Sequence, residues 1–490
     1  MPYYPHISKK HPKKTNIPLP STPPLPPKFP LICSPTFFCV FLPDKDIKAM
    51  KKIDIHNFRC FKNMHVDLTP GINLFVGDNA SGKTSLLMAC KFAANSFFSG
   101  FSDIYTVWTV PRREDFHRIS LGEKRMRAEP IDIQTVWGEE ELPGSGLFRL
   151  NDKPQKLFIN EKSGRPLVSG MKELREYGKW LSEHQISMDE EYSYRQSTPL
   201  PLIASFSTHG IHHSSKVRKN YFTEIGQTPS FGYYMCSSTD GLLEYWVHRL
   251  LVLTEAGFNP TERSIVLKAL LDMFGPEGCD VMRGFDVRVN YKDIVCLFND
   301  KREIPTAILS DGYLRLFSIV IDLAFRCALL NSLIFGENAA AETRGTVLID
   351  EIDLHLHPSL QSKVLKALQH TFPNIQFIVT THAPMVMSGV ETDGRNSVMK
   401  MAYDPDGENY TVTPADTYGM DLSTLASTVL DVPDREPSVA RELAELLRHV
   451  DEEDYADARK LLAEMQRRYG NKIPELNGIE TQINIEEELR

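Results

Sequence analysis

No stretch of this chain approaches twenty consecutive apolar residues, which argues against a membrane span and a membrane partner. There is no C-x-x-C pair. The eight cysteines, at positions 33, 39, 60, 90, 236, 279, 296 and 327, are scattered. That spacing argues against a structural zinc site and for free thiols in a reducing, cytoplasmic compartment. Basic residues are not in excess: 55 Lys and Arg stand against 64 Asp and Glu, a formal charge of −9. Any nucleic-acid contact must therefore come from a local patch. Sustained heptads are also missing, which excludes long coiled-coil arms. The rest is ordinary for a globular protein, at 42% hydrophobic and 24% charged. At 490 residues the chain is long enough for a large core and too long for one compact domain.

The most informative segment is Gly77-Asp78-Asn79-Ala80-Ser81-Gly82-Lys83-Thr84, followed by Ser85. It fits the phosphate-binding pattern G-x-x-x-x-G-K-S/T without a mismatch. Ile72 to Val76 reads as a buried strand before it, and Thr84 to Phe97 as a helix after it. A Gly-rich turn between strand and helix aims several backbone N–H groups at one spot. Lys83 adds a point charge for the β- and γ-phosphates, and the Thr84 hydroxyl is a ligand for Mg²⁺. The expected cofactors are ATP and Mg²⁺.

Three more segments add chemistry. Thr346 to Ile349 is an apolar strand running into Asp350 and Glu351. Beside a P-loop, Asp350 would hold Mg²⁺ through water and Glu351 would polarise the attacking water. Leu309-Ser310-Asp311-Gly312-Tyr313 opens an apolar helix from Leu314 to Leu330, with Ser310 forty residues before Asp350. Ser310 at a helix start is either a plain N-cap or a second anion site. Phe377 to Thr381 reads as another strand and leads into His382, 32 residues after Asp350. A lone histidine in that place is usually structural.

Together and in this order, these segments resemble the ATP-binding cassette class of P-loop ATPases. The resemblance implies a head-to-tail dimer that sandwiches two nucleotides, alone or within a higher-order assembly. Ser310 and Gly312 would act in trans on the partner's γ-phosphate, His382 in cis, and Asp353 would cross the interface. The implied catalytic residues are Glu351, His382 and Lys83. The implied fold is α/β: a cassette-type head of mixed and parallel sheet with flanking helices, a compact α/β insert and a helical C-terminal tail. The opening Ile55-His56-Asn57-Phe58-Arg59-Cys60-Phe61, the later Pro70-Gly71-Ile72-Asn73-Leu74-Phe75-Val76, and Asp311 in place of the transporter-type glycine resemble the RecF/SMC-like branch. There Arg59 would reach the nucleotide; the alternative is a surface arginine in a β-turn.

Five regions are expected. Residues 1–49 hold twelve of the 32 prolines and read as a disordered extension, or as upstream sequence before a natural start at Met50. Residues 50–100 carry the P-loop part of the head, and 101–285 a lid. Residues 286–415 carry the signature, the Asp-Glu strand and the switch histidine. Residues 416–490 form an acidic helical tail that docks a partner, read from helices at 417–430, 436–447 and 455–469; a solvated helical cap on the head is the alternative. Leu200 to Phe206 reads as a further head strand, but no arginine role and no Q-loop glutamine can be placed. His355 and His357 lack a third ligand for zinc. Asp404-Pro405-Asp406 has the spacing of a TOPRIM carboxylate pair but looks like a turn, and no HNH-type cluster is present.

A stand-alone head, compact insert, helical tail and no nuclease resemble the PtuA-type ATPase subunits of Septu and retron anti-phage systems. That implies a separate effector such as an HNH nuclease, with a reverse transcriptase and retron nucleic acid as further candidates. A RecF-like DNA repair ATPase, a transporter cassette and an ATP-binding scaffold with little turnover remain alternatives.

Overall fold

The computed structural model describes residues 49–101, 109–120, 126–138, 140–141, 149–150, 154–160, 166–185, 187–188, 194–195, 198–208, 229–237, 242–257, 259–430 and 435–488. The chain divides into two units, Met1–Asp44 and Lys45–Arg490, and every described residue lies in the second. The proline-rich segment, save Ala49, lies outside the described residues.

The centre is a six-stranded sheet. Its order is Leu202–Phe206, Gly345–Ile349, Ile375–Thr380, Ile72–Val76, Ser397–Asp404 and Asn409–Pro414. The first five strands run parallel; the last pairs antiparallel with its neighbour. Ile72–Val76, Gly345–Ile349 and Ile375–Thr380 are buried at every residue. Short runs with both faces covered need no alternation, which is why they read as continuous apolar segments. Parallel pairing delivers their C-terminal ends to one edge, and the P-loop, Asp350 and His382 all follow those ends.

A second, antiparallel sheet has the order Pro166–Leu167, Gln155–Ile159, Ile131–Trp137, Met50–Phe58, Phe61–Asp67. Ile131–Trp137 pairs with Met50–Phe58 from Met50 opposite Trp137 to His56 opposite Asp132. Within 101–285, the segment expected to be a lid, the strands Ile131–Trp137 and Gln155–Ile159 thus form part of a wall of the head. Its alternating buried and half-buried residues mark a sheet with one face on the core. The two sheets are joined at Gln376, whose side chain bonds both main-chain groups of Met50.

The helix that opens after Ser310 runs from Asp311 to Phe335, longer than the sequence suggests. With the following turn it is long and apolar enough to cross a membrane by length and composition, but 67% of its apolar window is buried in the protein. Two of its charges, Asp322 and Arg326, pair with each other inside the protein. Asp322 accepts from Trp246 Nε1 at 2.6 Å and from Arg326 at 2.5 and 3.1 Å. Trp246 stacks on Phe325, with centroids 4.9 Å apart. The helices Leu243–Ala256 and Pro260–Phe274 brace it, tied to each other by the buried pair Arg249–Glu262 at 2.5 and 3.0 Å. The hairpin Met282–Arg288 and Asp293–Phe298, with Glu303–Pro305, leads into Ser310.

Asp404 and Asn409 close the hairpin between the last two strands of the central sheet, so Asp404-Pro405-Asp406 ends a strand and enters a turn. The tail helices Pro437–Asp451 and Tyr455–Tyr469 are joined by one not expected from the sequence, Glu475–Glu488. They share a core of their own that includes Leu446, Leu462, Met465 and Ile483.

Candidate functional site

The P-loop takes its shape from three residues with left-handed backbone. Gly77 has φ +145°, Ala80 +67° and Gly82 +94°. At Gly77 a Cβ would lie 2.2 Å from the Met401 carbonyl oxygen, and at Gly82 it would lie 2.7 Å from the Phe61 ring. Conformation and close approach therefore both require glycine there. The helix Lys83–Asn95 starts with no side-chain cap at Gly82, and its first return bond runs from Leu86 N–H to the Gly82 carbonyl at 2.9 Å. The N–H groups of the first turn are thus left for an anion.

Lys83 is buried. Its ammonium donates to the carbonyls of Gly77 and Asp78 at 2.8 Å each and to Ser81 Oγ at 3.2 Å. Burial lowers its pKa to about 8, against the opposing pull of Asp350, Asp78, Glu351 and Asp353. Asp78 to Ser81 also line a cleft of about 360 Å³, together with Lys400, Tyr403 and Tyr410 of the last hairpin.

The structure brings Thr84 and Asp350 together across 266 residues of sequence. Thr84 Oγ1 is 3.1 Å from Asp350 Oδ2 and 3.4 Å from Oδ1. Two hard oxygens at this separation fit adjacent positions on an octahedral Mg²⁺, whose ligands at about 2.1 Å stand about 3 Å apart. Glu351 follows with φ +48°, a left-handed conformation that costs a non-glycine residue about 1–3 kcal/mol.

Two residues that sequence reasoning missed hold this pair. Thr380, fully buried, donates from Oγ1 to Asp350 Oδ1 at 2.7 Å and accepts from the Glu351 N–H at 2.8 Å. Arg315, also buried, donates from Nη2 to the Asp350 carbonyl. Burial lowers its pKa, opposed by Glu351, Asp350 and Asp353. The available signals were slight: a charge five residues into an apolar helix, and tandem threonines before a histidine. Thr381, the second threonine, bonds Asp353 at 2.5 Å and so ties the following loop to the same strand end.

Ser310 occupies the N-cap position without a capping bond from its side chain, and it is exposed. Its hydroxyl is therefore not spent on the helix. Gly312 is buried against the His355 backbone, where a Cβ would come within 2.2 Å of the carbonyl oxygen. His357 caps the helix that starts at Pro358, accepting from Ser359 N–H at 3.3 Å. His382 lies half-buried just beyond Ile375–Thr380. Arg59 sits in the β-turn between the first two strands with φ +51°. Its Nε is 2.7 Å from the buried carboxylate of Asp115. A role at the nucleotide would require it to exchange that partner.

Comparison with known proteins points the same way. Residues 52–188 match the family described as AAA domain, and residues 285–388 match AAA domain, putative AbiEii toxin, Type IV TA system. The Septu protein PtuA of Bacillus mycoides (strain KBAB4) is 41% identical over 359 residues, covering 72% of this chain and 40% of that protein. The Retron Ec83 probable ATPase of Escherichia coli is 34% identical over 199 residues, 39% of this chain and 34% of that protein. The DNA replication and repair protein RecF of Clostridium botulinum (strain Eklund 17B / Type B) is 34% identical over 90 residues, 18% of this chain and 24% of that one. The chain thus spans 40% or less of the length of the retron and Septu relatives it matches. Among solved structures, an ATP complex of RecF is similar at 14% identity and a TM-score of 0.36, over 75% of this chain and 99% of that one. The SMC head domain from Thermotoga maritima is similar at 13% and 0.35, over 75% and 98%.

Proposed function

We propose that this chain, whose residues 52–188 and 285–388 match AAA-domain families, is a P-loop ATPase that binds and hydrolyses Mg·ATP and thereby controls a separate effector in anti-phage defence. The observation that carries the hydrolysis is the meeting of the Thr84 hydroxyl with the Asp350 carboxylate at 3.1 Å, directly under the P-loop and one residue from Glu351. The P-loop N–H groups and Lys83 bind the phosphates. Thr84 and Asp350 would hold Mg²⁺, which offsets charge on the β- and γ-oxygens. Glu351 accepts a proton from the attacking water. His382 contacts the γ-phosphate from the same chain.

Ser310 completes the site of a second copy, while Gly312, buried against the His355 backbone of its own chain, only lets the helix start pack closely there. Supporting this, Ser310 is exposed and uncapped at the start of a 25-residue helix. Closure of two heads over two nucleotides would rearrange the tails, and the tail helices would dock the effector. The resemblance to Septu and retron ATPases supports a nuclease as that effector. The RecF similarity supports a second reading, in which the closed heads bind DNA; salt-dependent binding of duplex DNA by the chain alone would favour it.

ATP turnover of purified protein tests the proposal. Glu351→Gln should lose about 10²- to 10⁴-fold in turnover, the usual contribution of a general base, and accumulate ATP-bound dimers. Lys83→Ala should weaken ATP binding. Glu351→Gln hydrolysing ATP at the native rate would overturn the assignment of the base. Binding unchanged in Lys83→Ala would overturn the nucleotide site.

A further inference from the structure

The geometry points to a clamp on a single peptide group: Arg315 and Thr380 grip the two ends of the Asp350–Glu351 peptide and so aim the Glu351 carboxylate at the nucleotide. This rests on the reading of Glu351 as the base, and it names two positioning residues for it.

The bonds are directional. The carbonyl of the peptide accepts from Arg315 Nη2, and the N–H of the same peptide donates to Thr380 Oγ1 at 2.8 Å. Arginine has donors only, so it accepts no alternative in which the N–H faces it. The Thr380 hydroxyl has one hydrogen, already given to Asp350 Oδ1 at 2.7 Å, so it meets the peptide as an acceptor. A flipped peptide would thus lose both partners at once. The clamp keeps Glu351 at φ +48°. That strained conformation persists only where the surroundings over-determine it.

Arg315 is otherwise poorly employed. It is 3% exposed, and among the described residues its Nε and Nη1 have no hydrogen-bond partner. A buried guanidinium with donors unmet is costly. A purely structural site would be better served by an apolar side chain. Arg315 also lies five residues after Ser310 on the same helix. Any shift of that helix driven at Ser310 therefore moves the carbonyl end of the clamp, which couples the serine-tipped helix to the base of its own subunit.

The test measures ATP turnover for Thr380→Val, Thr380→Ser and Arg315→Met and Mg·ATP affinity for Arg315→Met, with Arg315→Met repeated on the Glu351→Gln background. Thr380→Val and Arg315→Met should each lose about 10- to 100-fold in turnover, the scale of an ångström misplacement of a catalytic group. Mg·ATP affinity of Arg315→Met should stay within about threefold of native. Thr380→Ser restores the hydroxyl and should recover most of the turnover lost in Thr380→Val. Arg315→Met should not add to the loss in Glu351→Gln, because it acts through that carboxylate; Thr380→Val also releases Asp350 Oδ1 and is read on turnover and its rescue by Thr380→Ser. Arg315→Met should fold with native or higher resistance to denaturant, since it removes two unmet donors; a merely structural arginine would give the reverse. Should Thr380→Val fail to fold, Arg315→Met decides alone. Native turnover in the clamp-breaking variants overturns the clamp, as does a further loss from Arg315→Met on the Glu351→Gln background. Glu351→Gln at native turnover instead overturns the assignment of the base.

Discussion

Gln376→Met should unfasten the two sheets of the head. Gln376 is 1% exposed. Its Oε1 accepts from Met50 N–H at 2.9 Å and from Thr346 Oγ1 at 3.0 Å, while its Nε2 donates to the carbonyls of Met50 at 2.8 Å and Thr69 at 2.7 Å. All four hydrogen-bonding positions are therefore used, and three of the partners are main-chain groups. Methionine fills the space but returns none of these bonds. The Thr69 carbonyl keeps a donor in Asn73 Nδ2 at 2.8 Å, but leaving the Met50 N–H and carbonyl without Gln376 in the interior, at about 1–3 kcal/mol each, gives an expected loss of about 2–5 kcal/mol. The assay is denaturant unfolding, read as a shift in midpoint at unchanged slope. Gln134→Met serves as the control; its amide reaches only Asp132 at 3.4 Å on the half-buried face of Ile131–Trp137, and changes on such a face stay within about 0.5 kcal/mol. The same junction holds Phe61 against Gly82. Nucleotide affinity should therefore fall with stability in Gln376→Met and not in Gln134→Met. A loss under about 1 kcal/mol would refute the reasoning, because the two Met50 main-chain groups would then have found other partners.

ATP affinity should fall about tenfold between pH 7 and pH 9. Lys83 has its pKa lowered to about 8 in the nucleotide-free protein. Bound phosphates favour the ammonium and raise that value, so binding takes up a proton, is complete below pH 8 and is lost as pH rises above it. Titration of affinity against pH checks this, and a flat profile contradicts it. Gly82→Ala should abolish tight ATP binding without unfolding the core, since the new methyl meets the Phe61 ring at 2.7 Å and the backbone sits at φ +94°; equilibrium dialysis with labelled ATP is the measurement. Glu262→Gln should destabilise the protein by about 3–5 kcal/mol by leaving the Arg249 guanidinium buried without its counter-charge. The double change Arg249→Met with Glu262→Leu should recover most of that loss in the same unfolding assay. Leu462→Ala should cost the tail about 2–5 kcal/mol, as truncation of a buried leucine does. ATP turnover should be unchanged, because Leu462 belongs to the separate core of the tail helices.

The chemistry of this chain is legible wherever it depends on neighbours in sequence. A Gly-rich turn needs its glycines within eight residues, and a strand buried on both faces is apolar at every position, as Ile72–Val76, Gly345–Ile349 and Ile375–Thr380 are. Those runs and their termini mark the P-loop, Asp350 with Glu351, and the strand leading to His382. The α/β class follows from the same alternation of short apolar strands and longer helices.

Tertiary structure decided what depends on distant partners. Ile131–Trp137 alternates like any half-buried strand, and only its pairing with Met50–Phe58 makes it a wall of the head in place of a lid. Arg315 is a stray charge in an apolar helix until the fold sets it against the Asp350 carbonyl, and Thr380 is one polar residue at a strand end until it meets the Glu351 N–H. Hydrogen bonds are short and directional, so residues 29 or 35 apart in sequence can share one peptide only after the sheet and helix have packed. Local composition records a side chain's own preferences; it carries no record of which far-off group will satisfy them.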